Sequence, residues 1–154
     1  LVIRSLTKLF NIAGLRLGYI IGSSEKLKKW NIKRDPWPLN SFAIKAGIEL
    51  LSNKVFYKEW TKKIHDWVRT EGEWVSNKLS KIKNLKVHKS STNFFLIESK
   101  FSLSPNINYL ENKGILIREC NSFRFLNRNW ARISLQTRKK NKILCREIQN
   151  SFKK

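Results

Sequence analysis

Short apolar runs and helix-period patterns follow one another through the first third of the chain. Residues 1–4 and 17–21 are apolar runs with the length and composition of buried strands. A turn with Ser24 as the expected N-cap then precedes a short helix over residues 25–30. Apolar positions at helical spacing predict a mostly buried helix from residue 40 or 41 to about residue 52. This part of the chain is therefore predicted to contain two short strands followed by helices.

A long amphipathic pattern occupies residues 55–82, where large apolar residues recur at intervals of three and four and charged residues fill the positions between them. This spacing predicts one long helix that is able to join two lobes. We expect its aromatic stripe to pack in a core, because aromatic side chains bury large areas. The members of the stripe are Trp60, Ile64, Trp67, Val68, Trp74, Val75, Leu79 and Ile82.

After residue 84 the apolar period changes to that of strands. Strands are predicted over residues 85–88, 94–98, 115–118 and 131–135. A helix over residues 105–112 is predicted to be closed by Gly114, and a terminal helix over residues 138–152 to be N-capped by Thr137. The second half of the chain therefore has the pattern of a small α+β domain.

The charge of the chain raises one class of function. The 154 residues include 32 Lys and Arg against 11 Asp and Glu, a formal net charge of +21. A basic nucleic-acid-binding protein without catalysis is therefore an alternative. The basic residues are spread at helix-like spacings, without an arginine tract, a zinc-finger spacing or an RNA-recognition aromatic motif. We therefore expect no specific nucleic-acid partner.

Other bulk features exclude further classes. The two cysteines, Cys120 and Cys145, are too few and too far apart for a disulfide framework or a zinc site, so no metal is expected. No apolar run approaches the roughly 20 residues of a membrane-spanning helix, and no signal core is present, so we expect a cytoplasmic protein without a membrane partner. The chain neither begins with methionine nor contains one, which suits a fragment.

Chemically useful groups are concentrated in residues 5–19. Lys8 lies among apolar residues, which predicts a partly desolvated amine, a possible nucleophile toward an aldehyde. Ser5 precedes it by three residues and Arg16 follows it by eight. A hydroxyl and a guanidinium around one lysine suit a ligand that carries both an aldehyde and a phosphate. For an isolated lysine, a solvated loop position is the stronger interpretation.

The order of these residues favours a reactive role for Lys8 over a solvated loop position. Ser5-Leu-Thr-Lys8, followed by Ala-Gly-Leu-Arg16-Leu-Gly-Tyr, closely resembles the cofactor-lysine motif of class I and II aminotransferases, which are fold-type-I enzymes of pyridoxal phosphate. The resemblance implies that Lys8 is the catalytic residue that binds the cofactor covalently. It also implies that Ser5 and Arg16 hold the cofactor phosphate, and that Gly14 and Gly18 permit a tight backbone path.

Two arginines near strand ends form the second candidate group. Arg118 and Arg132 are able to bind carboxylate or phosphate in bidentate fashion, although spacing alone supports a surface role equally well. Their surroundings, residues 114–120 and 130–138, resemble the C-terminal region of histidinol-phosphate aminotransferases and threonine-phosphate decarboxylases. The resemblance implies that Arg132 binds the substrate carboxylate and Arg118 the substrate phosphate. Asn93 is either a substrate ligand or a cap of the turn between strands.

Two short motifs favour the threonine-phosphate decarboxylase branch of this family. Asp35-Pro-Trp-Pro-Leu-Asn resembles its Pro-Trp-x-Val-Asn segment, and the stretch Arg118-Glu-Cys-Asn-Ser-Phe-Arg resembles its Arg-Asp-Cys-Ser-Ser-Phe. The implied function is decarboxylation of a phosphorylated amino acid in cobalamin biosynthesis. Histidinol-phosphate or another amino-acid aminotransferase is the alternative within the family.

The resemblance also implies an architecture. It predicts the α/β C-terminal segment of the fold-type-I pyridoxal-phosphate transferase fold. Residues 1–72 would be the end of the large cofactor-binding domain with the start of the interdomain helix, and residues 73–154 the small α+β domain. The family's phosphate-cradling turn, ring-stacking aromatic residue and pyridine-binding aspartate cannot be placed in this sequence. We therefore expect little activity from this chain alone, and a homodimer when the protein is complete.

Overall fold

The chain forms two compact units. The structure is a computed structural model that describes residues 1–153, and the units comprise Leu1–Ile64 and His65–Lys154. Each unit contains its own cluster of buried apolar side chains. None of the helices within residues 1–153 is long and apolar enough to cross a membrane.

The first unit is built around a two-stranded antiparallel sheet. Its register pairs Val2 with Ile21 and Ser5 with Gly18, and the 3-10 turn Ala13–Leu15 lies between the strands. Asn40 caps the third helix, because its side-chain oxygen accepts a hydrogen bond from the Ala43 amide at 2.8 Å. The elements of this unit are β1 (Val2–Ser5), α1 (Leu6–Leu9), β2 (Gly18–Ile21), α2 (Ser24–Ile32), α3 (Ser41–Ser52) and the start of α4 (Lys54–Leu79).

Burial in the first unit differs from the sequence prediction. Its buried apolar residues are Leu6, Leu17 and Ala43. The predicted strands and helices are present, but the expectation of buried strands and of a mostly buried α3 is wrong: every apolar aliphatic side chain within β1 and β2 is exposed, and Ala43 is the one buried residue of α3. The physical reason is that a two-stranded sheet and three helices enclose little volume. The N-cap of α2 is Ser23 rather than Ser24.

The second unit is a four-stranded antiparallel sheet with the order β3-β4-β6-β5. Burial alternates along β4 and β6, which places one face of the sheet in a core. Helices α4, α5 and α6 contribute the buried residues that complete this core. The elements are the remainder of α4, β3 (Leu85–Val87), β4 (Phe94–Ser99), α5 (Ser104–Glu111), β5 (Arg118–Glu119), β6 (Trp130–Ser134) and α6 (Arg138–Ser151).

The long helix and the terminal helix agree with the sequence pattern. Val75, Leu79 and Ile82 are buried in the second core, and Trp67, Val68 and Trp74 pack against it, so the prediction of a core stripe is confirmed there. The Thr137 side chain accepts a hydrogen bond from the Lys140 amide, as expected of an N-cap. Gly114 adopts a φ of 70° at the end of α5, a conformation that favours glycine.

The edge strand β5 is shorter than predicted. Residues 115–117 were expected to belong to it, but the ladder begins only at Arg118. The Gly114 and Ile115 amides instead donate to the carbonyls of Glu111 and Leu110 at 2.8 and 2.9 Å. The backbone therefore follows the end of α5 before it joins the sheet.

A buried polar network connects α4 with α6 in the second unit. Glu71 is 7% exposed, and its two carboxylate oxygens accept hydrogen bonds from Arg138 Nε at 2.9 Å each. Asn141 Nδ2 donates to Glu71 Oε2 at 2.8 Å. The Arg138 guanidinium also lies 4.6 Å from the Trp74 ring centroid. Helix α6 is therefore held to α4 by directional bonds as well as by apolar packing.

Candidate active site

The lysine segment begins directly after β1. The α1 helix buries Leu6 and Thr7, which are 1% and 6% exposed, and the Leu6 amide donates to the Leu17 carbonyl at 3.0 Å. Lys8, the next residue, is exposed. The predicted desolvation of Lys8 is therefore wrong for this chain, because the apolar neighbours in sequence turn inward while its own side chain turns outward. An exposed amine is accessible to an aldehyde.

Aromatic side chains from the start of α4 fix the end of α1. Trp60 Nε1 donates to the Leu9 carbonyl at 2.8 Å. The Phe10 ring packs against both Phe56 and Trp60, with its centroid 6.3 Å from each, and those two rings are 6.2 Å apart. Sequence reasoning assigned Trp60 to a packing stripe and missed its role in holding the lysine segment. The available signal was the cluster of three aromatic residues at 56, 57 and 60, directly ahead of the regular stripe.

The two predicted phosphate ligands lie on either side of this segment. Ser5 occupies the N-cap position of α1, yet its hydroxyl makes no capping hydrogen bond. Arg16 follows the 3-10 turn in a left-handed conformation, with φ 52°, and its Nη1 donates to the Ala13 carbonyl at 3.1 Å. That bond uses one of five guanidinium N–H groups. An exposed amine, an uncommitted hydroxyl and a largely uncommitted guanidinium are the donor set that an aldehyde with a phosphate group requires.

The two glycines of the motif differ in their surroundings. A Cβ on Gly18 would lie 2.8 Å from the Arg4 carbonyl oxygen, whereas a Cβ on Gly14 would have no neighbour within 4 Å. The close approach of β1 and β2 therefore requires glycine at position 18. Nothing in the structure requires glycine at position 14.

Arg118 and Arg132 occupy directly opposed positions in the second unit. They are register partners on β5 and β6, so both side chains project from the same face of the sheet, and both are exposed. Neither guanidinium forms an ion pair with any residue in 1–153. Each lies over a phenylalanine ring: Arg132 is 4.6 Å from the Phe94 centroid and Arg118 is 5.2 Å from that of Phe123.

Nearby acidic groups do not neutralise this pair. Glu98 accepts a hydrogen bond from His88 Nε2 at 2.9 Å and lies 3.7 Å from Lys86 Nζ. Glu119 accepts a hydrogen bond from the Ser104 hydroxyl at 3.0 Å. Neither carboxylate thus forms an ion pair with Arg118 or Arg132, and two unpaired guanidiniums favour the binding of anions.

Asn93 and Cys120 are two further polar residues of the second unit. The Asn93 carbonyl accepts a hydrogen bond from the Leu135 amide at 2.8 Å, and its side chain is half-buried without a hydrogen bond to any other residue described. The pKa of the Cys120 thiol is raised by burial, and the charges of Arg132 and Arg118 oppose that shift. Among residues 1–153, no group of three or more His, Cys, Asp or Glu is arranged to hold a metal ion.

The candidate residues thus form two groups, one in each unit. In the first unit Lys8 lies in α1, Ser5 occupies the N-cap position of that helix, and Arg16 directly follows the 3-10 turn. Arg118 and Arg132 are neighbours across two strands of the second unit, with Asn93 at the start of the adjacent strand. The first group offers an exposed amine together with a hydroxyl and a guanidinium, and the second offers two guanidiniums without acidic partners among residues 1–153.

Comparison with known proteins identifies the family. The family model for aminotransferase class I and II matches residues 1–148. The chain is 31% identical over 152 residues to a protein of Caldanaerobacter subterraneus subsp. tengcongensis that is provisionally named a threonine-phosphate decarboxylase. It is 33% identical over 148 residues to the histidinol-phosphate aminotransferase of Ruminiclostridium cellulolyticum. These alignments cover 98% and 96% of this chain.

A solved structure gives the same result. The L-threonine-O-3-phosphate decarboxylase of Porphyromonas gingivalis superimposes with a TM-score of 0.83 at 28% identity, over 99% of this chain and 46% of that one. The chain belongs to the class I and II aminotransferases, a family of pyridoxal-phosphate enzymes, and the predicted fold class is confirmed. It spans 40% of the length of the two curated relatives named above.

Proposed function

We propose that this chain is the substrate-binding and lysine-bearing part of a pyridoxal-phosphate enzyme that acts on a phosphorylated amino acid. The observation that carries the proposal is the opposed pair of Arg118 and Arg132, two guanidiniums without acidic partners on one exposed sheet face. A substrate that carries both a carboxylate and a phosphate would match two such groups. Threonine-phosphate decarboxylation, a step of cobalamin biosynthesis, is the specific reaction we favour, supported by the similarity to relatives of that name.

Each residue has a proposed role in this reaction. Lys8 would bind the cofactor aldehyde through its Nζ and later move a proton at that atom. Ser5 and Arg16 would bind the cofactor phosphate through their free N–H and O–H groups. When bound, pyridoxal phosphate supplies an electron sink for the charge that develops as a bond to the substrate α-carbon breaks.

The substrate ligands would be the groups of the second unit. Arg132 would bind the carboxylate and Arg118 the phosphate, and the side-chain amide of Asn93 would be available as a further donor. By fixing the carboxylate, Arg132 would determine which bond to the α-carbon is aligned for cleavage. The orientation of the substrate would thus decide between loss of the carboxylate and loss of the amine.

Amino-acid transamination, as by histidinol-phosphate aminotransferase, is the second candidate, supported by the 33% identity to a relative of that name. Product analysis on O-phospho-L-threonine separates the two reactions. Carbon dioxide and an amino alcohol phosphate are expected from a decarboxylase. A keto acid together with pyridoxamine phosphate would refute decarboxylation and support transamination.

The assembly around the chain is also part of the proposal. Residues 1–72 would belong to a large cofactor-binding domain and residues 73–154 to a small one, in a cytoplasmic homodimer. The chain alone would have little activity, because the groups that bind the cofactor ring in relatives cannot be placed in its sequence. Purified 154-residue chain and complete protein should therefore differ in turnover by several orders of magnitude.

The role of Lys8 has a direct chemical test. The complete protein is incubated with substoichiometric pyridoxal phosphate, reduced with borohydride and digested, and the modified lysine is located by mass spectrometry. We expect the adduct on Lys8 and its loss in Lys8→Ala. The matched control is Lys26→Ala, which removes another exposed lysine of the same unit. An adduct that persists in Lys8→Ala at the wild-type level would refute the assignment.

A further inference from the structure

Each of the two opposed arginines lies over an aromatic ring, and we call such a contact a seat. We propose that Phe94 and Phe123 are positioning residues, which present Arg132 and Arg118 as a clamp for a ligand with two anionic groups. This inference rests on the proposed function for the identity of the ligand. It adds two residues to the site that the lysine and arginine motifs do not include. Neither phenylalanine needs to touch the substrate for this role.

The seat of Arg132 follows from the register of the sheet. Arg132 on β6 is opposite Leu96 on β4, and Phe94 lies two residues earlier on β4, so its side chain projects from the same face. Phe94 is half-buried, which restricts its ring, and the guanidinium carbon lies 4.6 Å from the ring centroid. This distance is within the range of a cation–π interaction.

The seat of Arg118 is formed by the turn after β5. The Phe123 amide donates to the Cys120 carbonyl at 3.0 Å, which folds the chain back and brings the Phe123 ring to 5.2 Å from the Arg118 guanidinium. Phe123 is 43% exposed. Its ring is therefore less constrained than that of Phe94, and we expect it to contribute the weaker of the two seats.

The contacts with the two rings offset the electrostatic repulsion between the Arg118 and Arg132 side chains. Like charges directly opposite one another on antiparallel strands destabilise the pair, and long exposed side chains would ordinarily separate into solvent. A guanidinium that stacks its flat face on a ring keeps its N–H edge free for a bidentate bond. Two guanidiniums held in this way would each bind one anion, rather than share one.

The remaining charged groups of this face do not compete for the arginines. Lys86 on β3 and His88 just after it each contact Glu98 on β4. Since Arg118 and Arg132 have no acidic partner in residues 1–153, an added anion does not have to displace a carboxylate. This favours a ligand that carries two separate negative charges.

The test measures anion binding instead of catalysis, so that it does not depend on the cofactor. The 154-residue chain is titrated at pH 8 with O-phospho-L-threonine, with inorganic phosphate and with L-threonine, and the arginine Nε–Hε signals are followed by NMR. We expect the Arg118 and Arg132 signals to be displaced by the phenylalanine rings before any ligand is added. We also expect O-phospho-L-threonine to bind more tightly than either single-anion probe.

The variants separate positioning from folding. Phe94→Leu should weaken binding of O-phospho-L-threonine by about two- to fivefold, while Phe94→Tyr, which keeps the aromatic face, should restore it. Phe123→Leu should have the smaller effect. The matched control is Phe125→Leu, which removes a similar contact between Arg124 and Phe125, 4.8 Å apart, outside the sheet. The control should bind as the wild type does.

Three results would overturn the inference: wild-type affinity in Phe94→Leu, an equal loss in Phe94→Tyr, or no displacement of the Arg132 signal by either phosphate probe. A different result would overturn the substrate proposal and the clamp for two anionic groups, and would leave only the contacts between the arginines and the rings. That result is equal binding of O-phospho-L-threonine and inorganic phosphate in the wild type, with both weakened by Phe94→Leu.

Discussion

Glu71→Gln tests the buried polar network that joins α4 to α6. The carboxylate accepts on both oxygens, from Arg138 and from Asn141. A glutamine of the same shape has only one acceptor oxygen, so its amide nitrogen must face either Arg138 or Asn141, both of which are donors. One donor, on the buried Asn141 or on the partly exposed Arg138, therefore loses its partner in either orientation, and the Arg138 charge loses its counter-ion.

The expected cost follows from burial. Loss of a partner for a buried polar group costs about 1–3 kcal/mol. Removal of one partner of a fully buried ion pair costs about 3–5 kcal/mol, but the Arg138 side chain is 39% exposed and remains stacked on Trp74, so water compensates part of that loss. We therefore expect Glu71→Gln to lower the free energy of unfolding of the second unit by about 1–3 kcal/mol at pH 7.

The pH dependence gives an independent check. The hydrogen bond from Arg138 lowers the pKa of Glu71 from its ordinary 4.5, and that from Asn141 acts in the same direction against desolvation. A carboxyl with a lowered folded-state pKa stabilises the fold above its unfolded-state pKa, and this contribution is lost as the pH falls through the folded-state value. The difference between wild type and Glu71→Gln should thus be constant near neutrality and shrink below about pH 4.5.

Native-state amide hydrogen exchange is the appropriate assay, because it reports the opening free energy of each unit separately. Peptides from β6 and α6 report the network. The control is Glu73→Gln on the exposed side of the same helix, which should change stability by less than about 0.5 kcal/mol. If the two variants exchange alike, or if the effect of Glu71→Gln is as large at pH 3 as at pH 7, then the network does not stabilise the unit as argued.

Two further predictions concern the lysine segment and the thiols. Gly18→Ala should destabilise the first unit by about 1–3 kcal/mol, because its Cβ would meet the Arg4 carbonyl at 2.8 Å. Gly14→Ala is the control. Equal amide hydrogen exchange in peptides of β1 for the two variants would refute the argument. Burial raises the pKa of Cys145 to about 11 and that of Cys120 in the same direction, so a thiol reagent at pH 8 should label both cysteines slowly in the native chain and fully in denaturant. Rapid labelling of the native chain would contradict the burial of these thiols.

Local patterns predicted the elements well, and their burial well in the second unit but poorly in the first. Period and capping residues are properties of short windows, so α4, β4 and α6 were placed within a few residues. Burial of β1, β2 and α3 depends on what packs against them, and an apolar run does not specify that. The start of β5 was misplaced for a related reason, since hydrogen bonds at the end of α5 take precedence over strand propensity at residues 115–117.

The candidate site also contains residues that the sequence predicted and residues that it did not. The residues that carry charge or a nucleophile were accessible from the sequence, because Ser5, Lys8 and Arg16 have a characteristic spacing. Their supports were not, because Trp60 contacts Leu9 across 51 positions and Phe94 contacts Arg132 across a strand pair. Spacing along the chain predicts which groups are present, whereas the groups that orient them are determined by tertiary pairing.

The two units differ in how much core supports their candidate residues, and this determines which experiment suits each. The first unit buries Leu6, Leu17 and Ala43, while large apolar side chains such as Ile3, Phe42 and Ile48 are 56–80% exposed. The second unit buries fifteen apolar residues in one cluster. Because buried apolar area is the main source of stability, the second unit should open at the higher free energy. Anion binding by Arg118 and Arg132 is therefore measurable on the 154-residue chain, whereas the chemistry of Lys8 is best tested in the complete protein.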